Sequence, residues 1–144
     1  MFITNHVLAG AAVGRLTRSA GTAFVAGVAS HVAMDMALHW GDERGWDDFV
    51  RVAQVDGTVG LGLCALLLGT TPARARRPVV LGIAGACLVD MDKPGLHFFG
   101  RSPFPAAVDR LHARIQRQRP AGALVEAATA AGLAAALVAL HRRA

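Results

Sequence analysis

The sequence predicts an all-α fold: a polytopic membrane helical bundle of four to five apolar helices plus one interfacial amphipathic helix, with residues 1–144 forming a single integral membrane domain. Three observations predict it. Hydrophobic residues make up 53% of the chain against 17% charged, more apolar than an ordinary soluble domain. The arginines sit between or after apolar runs, at Arg15 and Arg18, at Arg74, Arg76 and Arg77, from Arg110 to Arg119, and at Arg142 and Arg143, as charged flanks facing anionic headgroups do. Gly and Ala are plentiful, aromatics are scarce and Tyr is absent, a mix that suits close helix–helix approach.

The net charge of +5 comes without a basic face interleaved with aromatic residues, so no nucleic-acid partner is expected. Membrane lipid is the expected partner, with a homo-oligomer or a membrane partner protein left open. Cys64 and Cys87 lie in apolar runs without CxxC spacing and read as small buried hydrophobes. The start lacks a basic n-region, so no cleaved signal peptide is expected.

In chain order, the first apolar segment, about 5–16, is short against the roughly 20 helical residues that ~30 Å of hydrocarbon requires. The second, 20–40, is long enough and ends where Trp40 marks the interface and Gly41 stops the helix. Residues 41–52 form the most acidic connection, with Asp47 or Asp48 as N-cap of the third segment, about 48–70. The fourth, 78–91, starts at Pro78 and stops before Pro94. "LHFFGRSPFP" reads as a loop. In 106–118, Val108, Leu111 and Ile115 recur at spacings of three and four between charges, which predicts a helix in the interface plane. The fifth segment, 121–140, is an Ala/Leu/Val span closed by "HRRA". Positive connections at 15–19 and 71–77 belong on the cytoplasmic side and 41–52 outside. The basic 92–120 region then falls outside if the fourth segment crosses, so its topology stays open.

Ionisable residues within apolar helices cost on the order of 2.5–3.5 kcal/mol each at the bilayer centre and usually face a cavity or one another. His6, His31, Asp35, His39, Asp56, Asp90 and Glu126 are such residues. Four helical residues advance about 400°, so His31, Asp35 and His39 form one stripe with steps of about 6 Å. His31 and Asp35 are the pair that can share an ion, offering one nitrogen and one oxygen to zinc or a similar cation; His39 is a weaker third. A His–Asp hydrogen bond is the alternative.

Further on, "LVDMDKPGLHFFG" offers Asp90, Asp92 and His97. A D-x-D at a helix end aims two carboxylates at one cation, or one at the cation and one at a supporting histidine, or simply caps the helix. His6 follows Thr4 and Asn5, both acceptable N-caps. Asp56 needs a partner from another helix, and Glu126 can pair with an arginine of the amphipathic helix or join the polar cluster. His112 and His141, among arginines, read as solvent-facing. No G-x-S-x-G, Walker, H-E-x-x-H or G-x-G-x-x-G motif is present.

"NHVLAGAAVG" with His6, "AGVASHVAMD" with Ser30, His31 and Asp35, and "CLVDMDKPG" with Asp90 and Asp92 together resemble the bacterial inner-membrane metal-dependent hydrolase family, related to the all-helical zinc-dependent phospholipases C. Val89 and Lys93 stand where that family's acidic stretch has proline and histidine, the two motifs come in reverse order, and its "His-Arg-Gly-x-Thr-His-Ser" stretch has no counterpart. The resemblance implies a multi-pass protein of a bacterial inner membrane holding a divalent metal, zinc above all.

The leading expectation is a metal site formed by His6, His31, Asp35, Asp90 and Asp92, with His39 or His97 completing it. Asp35 and Asp92 are then the catalytic carboxylates. A lipid or lipid-linked phosphate ester is the natural substrate, with Lys93 and Arg101 holding its phosphate. Two other functions fit the same residues: a non-enzymatic membrane subunit or carrier that relays protons or an ion through buried His and Asp, and bis-histidine haem ligation through His31 or His39.

Overall fold

A computed structural model describes residues 1–41 and 44–142; Asp42 and Glu43 of the acidic connection and Arg143 of the basic terminus lie outside the described residues. The chain is all-α apart from two strands of two residues. Its helices are α1 (Ile3–Leu16), α2 (Ala20–Asp35), α3 (Trp46–Thr70), α4 (Ala73–Leu88), α5 (Asp92–Phe99), α6 (Ala106–Ile115) and α7 (Ala123–Arg142). Strand β1 (Leu38–His39) pairs in parallel with β2 (Arg117–Gln118), Leu38 facing Arg117 and His39 facing Gln118. Single 3₁₀ turns, Val89–Met91 and Pro120–Gly122, lead into α5 and α7.

Helix α4 packs against both α1 and α2, and α1 also meets α3 and α7. Glycine makes the inner three-helix contact possible. A Cβ on Gly82 would collide with the Gly10 carbonyl oxygen, one on Gly27 with the Gly82 carbonyl oxygen, and one on Gly10 would sit 2.6 Å from the Ile83 Cα. Backbones that approach this closely gain dispersion contacts without needing bulky side chains. The buried apolar cluster is correspondingly small, Val7, Ala11, Val79 and Ile83, with Leu63, Leu67, Leu137, Cys64 and Cys87 against it.

Among the described residues two helices are long and apolar enough to cross a membrane, α3 and α7 with its leading turn (Pro120–Arg142). Both lie on the outside of the bundle and expose Val55, Val59, Leu61, Leu66, Leu124 and Val138. Helices α1, α2 and α4 have 14, 16 and 16 residues, about 21–24 Å at 1.5 Å per residue, short of a ~30 Å core. The expectation of four to five apolar spans therefore reduces to two helices with the length and composition for it.

Several boundaries differ from the sequence reading. Helix α2 ends at Asp35 rather than near residue 40, because the chain turns at Met36 and joins the small sheet, where the His39 carbonyl accepts from Arg119 N at 2.9 Å. His39 thus leaves the helical stripe of His31 and Asp35. Helix α4 begins at Ala73 and carries Pro78 inside it, rather than beginning at Pro78. Helix α5 takes in residues 96–99 of the stretch read as a loop: Pro94 sits in its first turn, where its missing N–H is not needed, and Gly100, at φ 68°, closes it with its N–H on the Leu96 carbonyl. Gly45 is the N-cap of α3, and Asp47 and Asp48 lie in its first turn, where they favour the positive helix end.

Replacing Gly82 by Val should force α1 off α4 and lower stability by at least about 1–3 kcal/mol, the usual cost of overpacking. Gly62→Val, on a face of α3 with nothing within 4 Å of the added Cβ, should leave the melting temperature in detergent nearly unchanged.

Candidate metal centre

The first turn of α1 has free N–H groups that no preceding turn can satisfy. Two carboxylates from the outer helices meet them. Asp56 of α3 accepts from Ile3 N at 2.6 Å and Thr4 N at 3.1 Å. Glu126 of α7 accepts from Phe2 N at 3.1 Å and from the Asn5 side-chain amide. Thr4 and Asn5 are therefore inside the helix and held, not its N-caps; Phe2 takes that position. Two acidic residues placed in apolar helices are explained as trans-acting caps that also favour the positive end of α1. The arrangement fixes His6, on the same turn, in the middle of the bundle, where its ring is fully buried.

Around that point four elements deliver polar groups. The last turn of α2 brings His31 and Asp35, both fully buried. The turn after α4 brings Asp90, α5 brings Asp92 and Lys93, and α6 brings His112, which is only 3% exposed. His31 Nε2, His112 Nε2 and Asp35 Oδ2 form a triangle with edges of 3.3, 3.2 and 3.2 Å. Asp90 Oδ1 lies 3.6 Å from His112 Nε2. Ligand atoms at 2.0–2.1 Å from one tetrahedral ion stand about 3.3–3.4 Å apart, which is the spacing of this triangle.

The far side of each imidazole is fixed. His31 Nδ1 donates to the Ala86 carbonyl at 2.8 Å. His112 Nδ1 donates to Asp92 Oδ2 at 2.9 Å. In the neutral rings both Nε2 lone pairs then point at each other and at the Asp35 carboxylate. The Gln116 side-chain amide donates to His112 Nε2 at 3.0 Å and to Asp35 Oδ2 at 3.4 Å, and a proton or a cation between the three groups would relieve the repulsion that remains. The group His31, Asp35, Asp90 and His112 can hold a metal ion.

The surrounding charges favour a proton on His112, which a metal ion at Nε2 would have to displace. Burial works against a charge on His112, but hydrogen bonds to Asp35 and Asp92 outweigh it, and its pKa is pushed up to about 9. Burial also opposes charge on Asp92, yet its bond from His112 and the Lys93 ammonium hold it below the usual carboxylate range. Lys93 Nζ sits 2.7 Å from Asp90 Oδ1; its burial is outweighed by the Asp90 and Asp92 carboxylates, and its pKa rises.

The sequence-derived candidates are distributed as follows. His31, Asp35 and Asp90 converge. Asp92 stands behind His112 rather than at the centre of the triangle. His6 stacks on His31 with ring centroids 4.2 Å apart. Its Nε2 is 3.2 Å from Asp35 Oδ1, yet neither ring nitrogen is aligned for a hydrogen bond. Asp35 Oδ1 also lies 2.8 Å from the Met1 amino group. His39 and His97 are outside the group: His39 Nδ1 donates to the Ala37 carbonyl, and His97 stacks near Trp46 and Phe98 at the surface. Ser30 donates to the Gly27 carbonyl of its own helix, and Arg101 is exposed.

His112 overturns its solvent-facing reading. Helix α6 turns Asp109, His112 and Gln116 inward and leaves Val108 and Leu111 exposed, so its polar stripe, not its apolar one, meets the bundle. The spacing Asp109-x-x-His112-x-x-x-Gln116 was the available signal. Compared with protein-family models, curated proteins and solved structures, the chain matches none.

Asp56→Ala and Glu126→Ala each remove a charged acceptor from the first turn of α1, and each should destabilise the fold by about 1.5–3 kcal/mol. Asp48→Ala, on the exposed first turn of α3, should shift the melting temperature far less; thermal unfolding of the three variants side by side checks this.

Proposed function

We propose that this chain is a multi-pass membrane protein with a divalent-metal centre, zinc by preference, and that it hydrolyses a lipid or lipid-linked phosphate ester. The triangle of His31 Nε2, His112 Nε2 and Asp35 Oδ2 carries the reading: its edges fit one tetrahedral ion, and each ring is held by a hydrogen bond on its other nitrogen. Two imidazoles and two carboxylates are the borderline donor set that suits zinc. The resemblance of the His6, Ser30-His31-x-x-x-Asp35 and Asp90-x-Asp92 stretches to a metal-dependent hydrolase family points the same way. Membrane placement rests on α3 and α7, which are apolar, long and exposed. A soluble protein would bury such helices. The short helices α1 and α2 turn His6, His31 and Asp35 inward, and α4 packs against both.

A divalent cation at this centre supplies a Lewis acid that activates water and polarises a phosphoryl or acyl oxygen. The chain's own residues do the rest. Asp92 orients His112 through its Nδ1 and keeps its Nε2 aimed at Asp35. Ala86 does the same for His31 through its carbonyl. Lys93, beside Asp90 at the edge of the cluster, is a cation placed to meet a phosphate oxygen. Asp35, whose second oxygen faces His6, is placed to accept a proton as the ester is cleaved.

Elemental analysis of the detergent-purified protein should find about one zinc per chain. His31→Ala and His112→Ala should each abolish it, while His97→Ala keeps it. Asp92→Asn, which weakens the support behind His112 and the pairing with Lys93, should weaken metal binding by about 10–100-fold. Phosphate release from a lipid phosphate ester should stop on chelation and return with zinc. A purified protein without metal, or one whose metal survives both histidine substitutions, sinks the reading.

A further inference from the structure

A cavity of about 510 Å³ opens beside the cluster, between α3, α5 and the β1–β2 strap. Its volume lies within the roughly 300–1,000 Å³ that a single small ligand occupies. Asp90 and Lys93 belong to both the cavity wall and the cluster, and Phe49, Val50, Ala53 and Leu61 of α3 make much of the rest of the wall apolar. A wall that combines an ammonium with an apolar surface matches a molecule that carries both a charged group and a hydrocarbon chain.

His39 gives a second, independent sign of a ligand. Its ring is fully buried and forms part of the same wall. Nδ1 donates to the Ala37 carbonyl at 2.9 Å, which in the neutral ring leaves Nε2 as an acceptor, and that atom has no hydrogen-bond partner. A buried acceptor without a donor costs free energy. The backbone holds it in place: the His39 carbonyl is bound by Arg119 N, and Gly122 packs so tightly on it that a Cβ there would collide with the His39 carbonyl carbon. Nε2 is thus a fixed, buried acceptor without a donor of its own, in a residue that lines the cavity.

We infer that this cavity binds a single-chain amphiphile with an anionic phosphate head and a hydroxyl next to it. The chain lies along α3, the hydroxyl donates to His39 Nε2, and the head rests at Lys93 against the cluster. This deepens the reading of the metal centre by naming the shape of its substrate, but binding in the cavity does not itself require a metal.

The two tryptophans of the chain, Trp40 and Trp46, both line the cavity, so their emission reports its occupancy. The test titrates the full-length protein in amphipol, without added metal, with butyl, hexyl and octyl phosphate below their micellar concentrations, and then with 2-hydroxyoctyl phosphate. Affinity should rise by up to about fourfold per methylene, and the hydroxylated probe should bind more tightly than octyl phosphate. Gly57→Leu places a side chain in the cavity at a position where an added Cβ meets nothing within 4 Å; it should erase the chain-length dependence and leave the zinc content unchanged. His39→Phe should erase the preference for the hydroxyl and keep the chain-length dependence. Affinity that is flat with chain length, or Gly57→Leu binding octyl phosphate as the parent does, overturns the inference; equal binding of the plain and hydroxylated probes by the parent overturns the role of His39. Failure of the metal reading shows as absent zinc with these titrations intact, so the two are told apart.

Discussion

A carboxylate with no exposed surface, Asp35, sets the terms for the rest of the molecule. A buried anion is tolerated only with compensating charge or hydrogen bonds. Three imidazoles supply the surroundings, His31 from one turn earlier on the same helix, His112 from α6 and His6 from α1. Asp35 also sits at the C-terminal end of α2, where the helix macrodipole disfavours a negative charge. Positive charge at one point offsets each of these costs: the Met1 amino group 2.8 Å from Asp35 Oδ1 supplies one such charge, and the group His31, Asp35, Asp90 and His112 could hold a metal ion as another.

Bringing those groups together requires helices to approach closely and to stop in the right places. The glycines of α1, α2 and α4 let backbone meet backbone, so that His6, His31 and the turn carrying Asp90 end up within one shell. Asp56 and Glu126 hold the first turn of α1 from outside. The 3₁₀ turn Val89–Met91 and the start of α5 then present Asp90, Asp92 and Lys93 within four positions without an extended loop. Stability and site geometry are in this way coupled: the same polar contacts that satisfy helix ends also locate the ligand atoms.

Much of this was legible in the sequence, and the misses have physical causes. The His31–Asp35 spacing and the Asp90-x-Asp92 pair stand out because ionisable residues in apolar runs are costly. Apolar periodicity located α1, α3, α4, α6 and α7 to within a few residues. It failed at the end of α2, where strand pairing of Leu38–His39 with Arg117–Gln118 depends on a partner nearly 80 positions away. It also failed at α6, where Asp109, His112 and Gln116 face the bundle and Val108 and Leu111 stay exposed. Read as a helix in the interface plane from its apolar stripe alone, it left His112 among the arginines on the solvent side. Asp56 and Glu126 were recognised as needing partners, but a backbone N–H leaves no mark in the sequence.

The central claim is that two histidines and two aspartates share one cation. X-ray absorption at the zinc edge of the purified protein tests it most directly. The account predicts nearest ligands at about 2.0–2.1 Å made of nitrogen and oxygen only, with the outer-ring scattering of two imidazoles. A spectrum with sulfur ligands, with a single imidazole, or with the zinc in a fully hydrated shell would contradict it.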